Sequence, residues 1–108
     1  MKVETAPDAG DLVWLAFDPQ AGRRPALVLS PAQYNRKSGL ALVCPITSHV
    51  KGYPFEVELP PGLPVSGAIL ADHLKSLDWR ARNAEIVGRL PMVILHDVLD
   101  RLAPLLGF

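Results

Sequence analysis

The sequence predicts a mainly β protein, a small barrel of short antiparallel strands with one C-terminal α-helix. Three observations predict it. Eleven prolines and eight glycines in 108 residues cut the chain into pieces too short for long helices. Between those breaks lie β-branched and aromatic segments at the spacing of a small barrel. Only the C-terminal stretch carries a helical period.

Asp11 to Phe17 (DLVWLAF) follows the turn Pro7-Asp8-Ala9-Gly10 and reads as the first strand, and Pro25 to Leu29 reads as the second, with a loop between them. Pro31 to Asn35 suits a short helical turn. Leu40 to Cys44 and Phe55 to Leu59 are further strands, and the latter (FEVEL) alternates apolar and acidic residues, so one of its faces should be wet. Gly67 to Ala71, Leu74 to Leu77 and Glu85 to Val87 complete the set. Pro91 suits a first helical position, after which Met92, Leu95, Val98, Leu99 and Leu102 recur at spacings of three and four. Asp97 and Arg101 form an i,i+4 pair on the polar side of this helix and Pro104 ends it, leaving the apolar side to cover the barrel.

A chain of this length suits one domain, residues 1–108, because two cores would each bury too little apolar surface to offset chain entropy. Apolar residues make up 49% and charged residues 20%, a balance that argues against disorder. Met1 to Asp8 carries two acids and no apolar stretch of the kind a secretory leader needs. The longest apolar run, Leu40 to Ile46, is far short of the roughly 20 residues of a membrane-spanning helix. Cys44 is the single cysteine, which excludes an internal disulfide and suits a reducing compartment. Inside an apolar run it reads as core packing. The expectation is a cytoplasmic protein.

The formal net charge is zero, which by itself counts against a phosphate-rich partner. The distribution is uneven, however. Between Pro19 and Phe55 stand Arg23, Arg24, Arg36, Lys37 and Lys51 with no Asp or Glu, so a neutral chain can still present a basic face. Scattered solvated charges are the plainer alternative.

Familiar catalytic arrangements are missing. His49, His73 and His96 are far apart in sequence, and there is no Cys-x-x-Cys or His-x-x-x-His, so neither a metal nor another cofactor is expected. There is no phosphate-cradling glycine loop and no Gly-x-Ser-x-Gly elbow. The chemistry left to the chain is that of Arg, Thr, Asp, Lys and His.

Several blocks carry a resemblance. Gly10-Asp11-Leu12-Val13-Trp14, Phe17-Asp18-Pro19 and Gly22-Arg23-Arg24-Pro25-Ala26-Leu27-Val28-Leu29-Ser30 come first. Pro45-Ile46-Thr47-Ser48, Lys51-Gly52-Tyr53-Pro54-Phe55-Glu56-Val57 and Ala71-Asp72-His73-Leu74-Lys75-Ser76-Leu77-Asp78-Trp79-Arg80-Ala81-Arg82 follow. In this order they resemble the MazF/PemK/Kid toxins over nearly the whole chain. The resemblance implies an SH3-like barrel with a C-terminal helix, a homodimer, a MazE-like antitoxin partner, and sequence-specific cleavage of single-stranded RNA. In that family the ribose 2′-hydroxyl attacks the adjacent phosphate, leaving a 2′,3′-cyclic phosphate and a free 5′-hydroxyl.

Such a reaction needs a base, an acid and stabilisation of charge on phosphorus. Arg24 matches the family's catalytic arginine, and a guanidinium can grip two phosphate oxygens while staying protonated. Taken alone it would be a surface arginine at a strand start. Thr47 matches the catalytic threonine, whose hydroxyl donates without adding charge. Taken alone it is a strand-end residue. The chain departs from the family in its loop: relatives carry a longer one after Asp-Pro, often with a glutamate, where only Pro19-Gln20-Ala21-Gly22 stands here. The missing proton acceptor is assigned to His49, two residues beyond Thr47, because imidazole titrates near neutral pH. Asp18, at the start of the loop, is the rival.

For binding, Trp14, Tyr53 and Phe55 offer faces on which unpaired bases stack, typically about 1 to 3 kcal/mol per base. Core packing is the alternative for Trp14 and Phe55. Arg23 and Lys51 belong to the basic stretch that would meet phosphates. By resemblance Asp72 and Lys75 line the RNA groove, with Asp72 reading base donors and Lys75 holding a phosphate, against the alternative of a surface ion pair. Arg80 and Arg82 would share a side if their segment were extended, and would then meet phosphate or antitoxin. Two rival functions stay open: a family member that has lost catalysis, and a gyrase-binding poison on the same barrel.

Overall fold

The structure is a computed structural model and describes residues 5–18 and 22–108. The described residues form seven strands and two α-helices in the expected mainly β arrangement. Strands β1 (Asp11–Asp18) and β2 (Gly22–Val28) are antiparallel, with Leu12 opposite Leu27 and Leu15 opposite Arg24. Leu12, Val13 and Leu15 are all buried, so both faces of β1 are covered, which is why its sequence is apolar without strict alternation. The loop Pro19-Gln20-Ala21 and the side chain of Asp18 lie outside the described residues.

Helix α1 (Ala32–Ser38) extends three residues beyond the expected turn and stops at Gly39, whose φ of 76° allows its N–H to donate to the Asn35 carbonyl. Strand β3 (Leu40–Thr47) runs three residues past Cys44, the expected end. One edge of β3 pairs with β2, Ala26 opposite Pro45. Its other edge pairs first with β6 (Lys75–Asp78) as far as Val43 and then with β5 (Ala68–Leu70) from Ile46 onward. Pro45 falls between those two ladders, where a missing N–H is tolerated. Strand β4 (Glu56–Glu58) pairs with β5, and β7 (Glu85–Arg89) pairs with β1, giving the order β4-β5-β3-β2-β1-β7 with β6 beside β3. The SH3-like barrel is thus a sheet that divides at β3.

Helix α2 (Met92–Leu102) buries Leu95, Val98 and Leu102, while Met92 and Leu99 on the same expected stripe remain exposed. Arg101 Nε donates to Asp97 Oδ1 at 3.0 Å, the i,i+4 pair the sequence implied. The α-helix ends two residues before Pro104, as expected, and a 3-10 turn, Ala103–Leu106, follows with the proline in its first turn, where its N–H would be unpaired.

Two apolar clusters lie on opposite faces of the sheet. Leu12, Leu27, Cys44, Ile46, Ile69 and the α2 residues Leu95 and Val98 form one. Val13, Leu15, Ala26, Val28, Ala41, Val43, Leu77 and Trp79 form the other. Burial pushes the Cys44 thiol up to about 12, with the Asp72 carboxylate adding to the effect, so Cys44 is core packing and no thiolate nucleophile at neutral pH.

Candidate active site

Register decides which side chains can work together. In an antiparallel ladder, paired residues point to the same face and the face alternates along each strand. Arg24 is opposite Leu15, and the β2–β3 pairing ends at Ala26 opposite Pro45, with Arg24 two residues before Ala26 and Thr47 two residues after Pro45, each on that pair's face by alternation. The same alternation carries the face from Thr47 through Pro45 to Val43, whose partner on β6 is Lys75. Arg24, Thr47 and Lys75 therefore share the face that continues the second apolar cluster outward, Lys75 lying about 13 Å along the strand from Thr47 at ~3.3 Å per residue.

Arg24 is exposed and has no hydrogen-bond or ion-pair partner among the described residues. Thr47 is half-buried, and its Oγ1 accepts the His49 N–H at 3.0 Å. That bond uses a lone pair and leaves the hydroxyl proton for a ligand. It also seats His49, which is exposed, directly beyond the threonine.

Gly67 is a residue the sequence reading passed over. A Cβ at this position would lie 2.1 Å from the Thr47 carbonyl oxygen, and its φ is 120°, so only glycine lets the turn before β5 bear on Thr47. The signal was a glycine immediately before a strand, but nothing in the sequence says which backbone it approaches.

The loop after Thr47 carries Lys51 and Tyr53, both exposed, with Lys51 Nζ 5.8 Å from the centroid of the Tyr53 ring. Phe55 is half-buried, and its carbonyl accepts the Ala71 N–H. Asp72 and Lys75 make no ion pair with each other. Asp72 stands 3.8 Å from His73 Nε2 instead.

The other candidates lie elsewhere. Trp14, half-buried, alternates with Leu15 and so falls on the opposite face of β1 from Arg24. Arg23 also points away from Arg24, its Nη2 donating to the carbonyls of Trp14 (3.0 Å) and Asn83 (2.9 Å). Residues 79–83 are a chain of turns, not an extended segment, so Arg80 and Arg82 do not align as expected. Arg80 stacks 4.4 Å from the Trp79 ring. Arg82 Nη1 donates to the carbonyls of Ala16 and Phe17, tying the turn to the end of β1. Arg23 and Arg82 thus brace the frame around the short loop, a use of arginine that sequence patterns do not separate from phosphate binding.

Fold and site together define a class: a small β-barrel protein with a helix at its C-terminal end, offering a guanidinium and a hydroxyl on one open face. Residues 8–106 match the family model described as PemK-like, MazF-like toxin of type II toxin-antitoxin system. The chain belongs to this family. It is 47% identical over 106 residues to the endoribonuclease toxin MazF of Escherichia coli K12, covering 94% of this chain and 95% of that one. It is 32% identical to the Escherichia coli endoribonuclease PemK, covering 92% and 81%. A crystal structure of MazE-MazF (Form-II) from Deinococcus radiodurans superposes with a TM-score of 0.91 at 57% identity, covering 97% of this chain and 99% of that one.

Proposed function

We propose that this protein is a sequence-specific endoribonuclease toxin that cuts single-stranded messenger RNA in the cytoplasm and so inhibits translation. The observation that supports it is strand alternation: Arg24 stands two residues before Ala26 and Thr47 two residues after its partner Pro45, which puts both on the face of that pair. Relatives named as endoribonucleases support the reading.

The ribose 2′-hydroxyl attacks the adjacent phosphorus and loses its proton to a base. Negative charge then grows on the non-bridging oxygens, where Arg24 supplies two N–H donors and a fixed positive charge, and Thr47 donates its hydroxyl proton. The bond to the 5′-oxygen breaks as that oxygen takes up a proton, giving a 2′,3′-cyclic phosphate and a 5′-hydroxyl. His49 serves as the base, with Asp18 as its rival. The guanidinium meets the developing charge that a metal would otherwise meet, so the reaction as written needs none. Lys75 and the Lys51–Tyr53 loop hold the strand on either side of Thr47. The protein works as a homodimer, as the family resemblance implies, and is neutralised by a MazE-like antitoxin, a partner supported by likeness to the MazE-MazF structure of Deinococcus radiodurans.

The test is incubation of the purified protein with a long single-stranded RNA in EDTA beside Arg24→Ala, with product ends mapped. Cuts at a defined sequence with 5′-hydroxyl ends, lost in Arg24→Ala, are expected. Intact RNA together with gyrase inhibition would select the poison, and no effect in either assay would select a member without catalysis.

A further inference from the structure

The loop that carries Lys51 and Tyr53 hangs from a single carboxylate. Glu56 Oε1 accepts the backbone N–H groups of Lys51 (2.9 Å), Gly52 (2.7 Å) and Tyr53 (3.3 Å). Successive backbone N–H groups converging on one oxygen form an anion-binding concavity, and here the anion is the protein's own. Gly52, with φ 77°, permits the turn. The Glu56 N–H donates back to the Tyr53 carbonyl at 3.0 Å, so turn and carboxylate close on each other.

Glu56 is itself fixed by the sheet, as the first residue of β4 opposite Leu70. A second tie comes from α2, where Arg101 Nη1 donates to the Pro54 carbonyl. The turn buries little: Tyr53 is 60% exposed and Val50 41%. What it achieves is presentation, an aromatic face with an ammonium beside it, aimed at solvent from the strand end that holds Thr47. A carboxylate is electrostatically adverse on a surface that binds phosphates. Its place here is explained by the shape it imposes.

We infer that Glu56 is a positioning residue for RNA binding, holding the Lys51-Gly52-Tyr53 turn so that Tyr53 stacks on an unpaired base while Lys51 meets a neighbouring phosphate. The inference rests on the endoribonuclease reading. Ordering of the turn is completed on folding, so a bound strand does not bear that entropy. Glu56 acts on affinity through Tyr53 and does not touch the reacting phosphate.

The experiment is steady-state cleavage of a short RNA bearing one mapped cut site by the full chain, Glu56→Gln, Glu56→Ala, Tyr53→Ala and the Glu56→Ala/Tyr53→Ala pair, with thermal unfolding measured alongside. Expected is a rise in KM of about tenfold for Glu56→Ala with kcat within about twofold, and a smaller rise for Glu56→Gln, which keeps a neutral acceptor. The double variant should fall well short of the product of the two single effects, because with the ring gone only Lys51 is left for the turn to position. If Glu56→Ala fails to fold, the Glu56→Gln/Tyr53→Ala pair gives the same cycle. An unchanged KM in Glu56→Ala, or effects of Glu56 and Tyr53 that multiply, overturns the inference while Arg24-dependent cleavage stands. A parent protein that cuts no RNA overturns both together.

Discussion

Two polar regions of this barrel are built in opposite ways. Near the N-terminal turn, Asn35 is fully buried and every group around it is matched. Its Nδ2 donates to the Pro7 carbonyl (2.7 Å) and the Ser30 carbonyl (2.9 Å), its Oδ1 accepts the Ser30 hydroxyl, and its carbonyl accepts the Trp79 indole N–H at 2.8 Å. Ser30 Oγ in turn accepts the Leu42 N–H. This closed network joins the N-terminal segment, α1, β3 and the turn after β6. On the Arg24–Thr47 face the valences are left open, with an exposed guanidinium and a hydroxyl proton free to donate. Closed polar groups specify the fold, and open ones await a ligand.

The largest expected effect falls on the open region. Arg24→Ala should lower the cleavage rate by about 10²- to 10³-fold while leaving the melting temperature unchanged, as expected for a donor to transition-state charge on the surface. A matched loss of stability, read by thermal unfolding, would place Arg24 in the frame instead. Asn35→Ala should do the reverse, lowering stability by about 3 kcal/mol because the carbonyls of Pro7 and Ser30 lose their donor in the interior. Urea unfolding measures this, and cleavage by the folded fraction should hold its parental kcat.

Gly67→Ala should cost stability and activity together. The Cβ collides with the Thr47 carbonyl, so a stability loss of about 2 kcal/mol from strain should accompany a roughly tenfold or greater fall in kcat as Thr47 is displaced. Restored kcat at reduced stability would show that the turn can move without Thr47.

The smallest effect belongs to Asp8, whose carboxyl is held below the usual carboxylate value chiefly by the N–H of Ala32, with the Ala9 N–H and the Arg89 guanidinium adding to it. A depressed folded value means that its contribution is complete above the unfolded value of about 3.9 and is lost as pH falls through the folded one. Asp8→Asn should lower the urea midpoint slightly at neutral pH, where the carboxylate's contribution is complete, and flatten its fall below about pH 4, where the parent loses that contribution anyway.

Strand and helix positions were legible because apolar segments and turn residues report burial and breaks directly, as in DLVWLAF and in the spacing of Leu95, Val98 and Leu102. The strand expected over Leu40 to Cys44 runs on to Thr47 because its edge passes from one partner, β6, to another, β5, and that exchange has no local sequence signal. Motif order singled out Arg24 and Thr47, while the face each occupies depends on a strand register set by contacts far apart in sequence. Arg23 and Arg82 could not be told from RNA ligands, since a donor aimed at a backbone carbonyl looks the same in sequence as one aimed at a phosphate. Glu56 went unread because its three partners are backbone groups, which carry no residue signature.

The central claim is that Arg24 and Thr47 act on one phosphate. Cleavage rates of Arg24→Ala, Thr47→Val and the double variant on a single-site RNA test it most directly. The account predicts that the double variant is little slower than Arg24→Ala alone, because the hydroxyl has no oriented phosphate to serve once the guanidinium is gone. Rate losses that multiply across the two substitutions, or a Thr47→Val enzyme as fast as the parent, would contradict it.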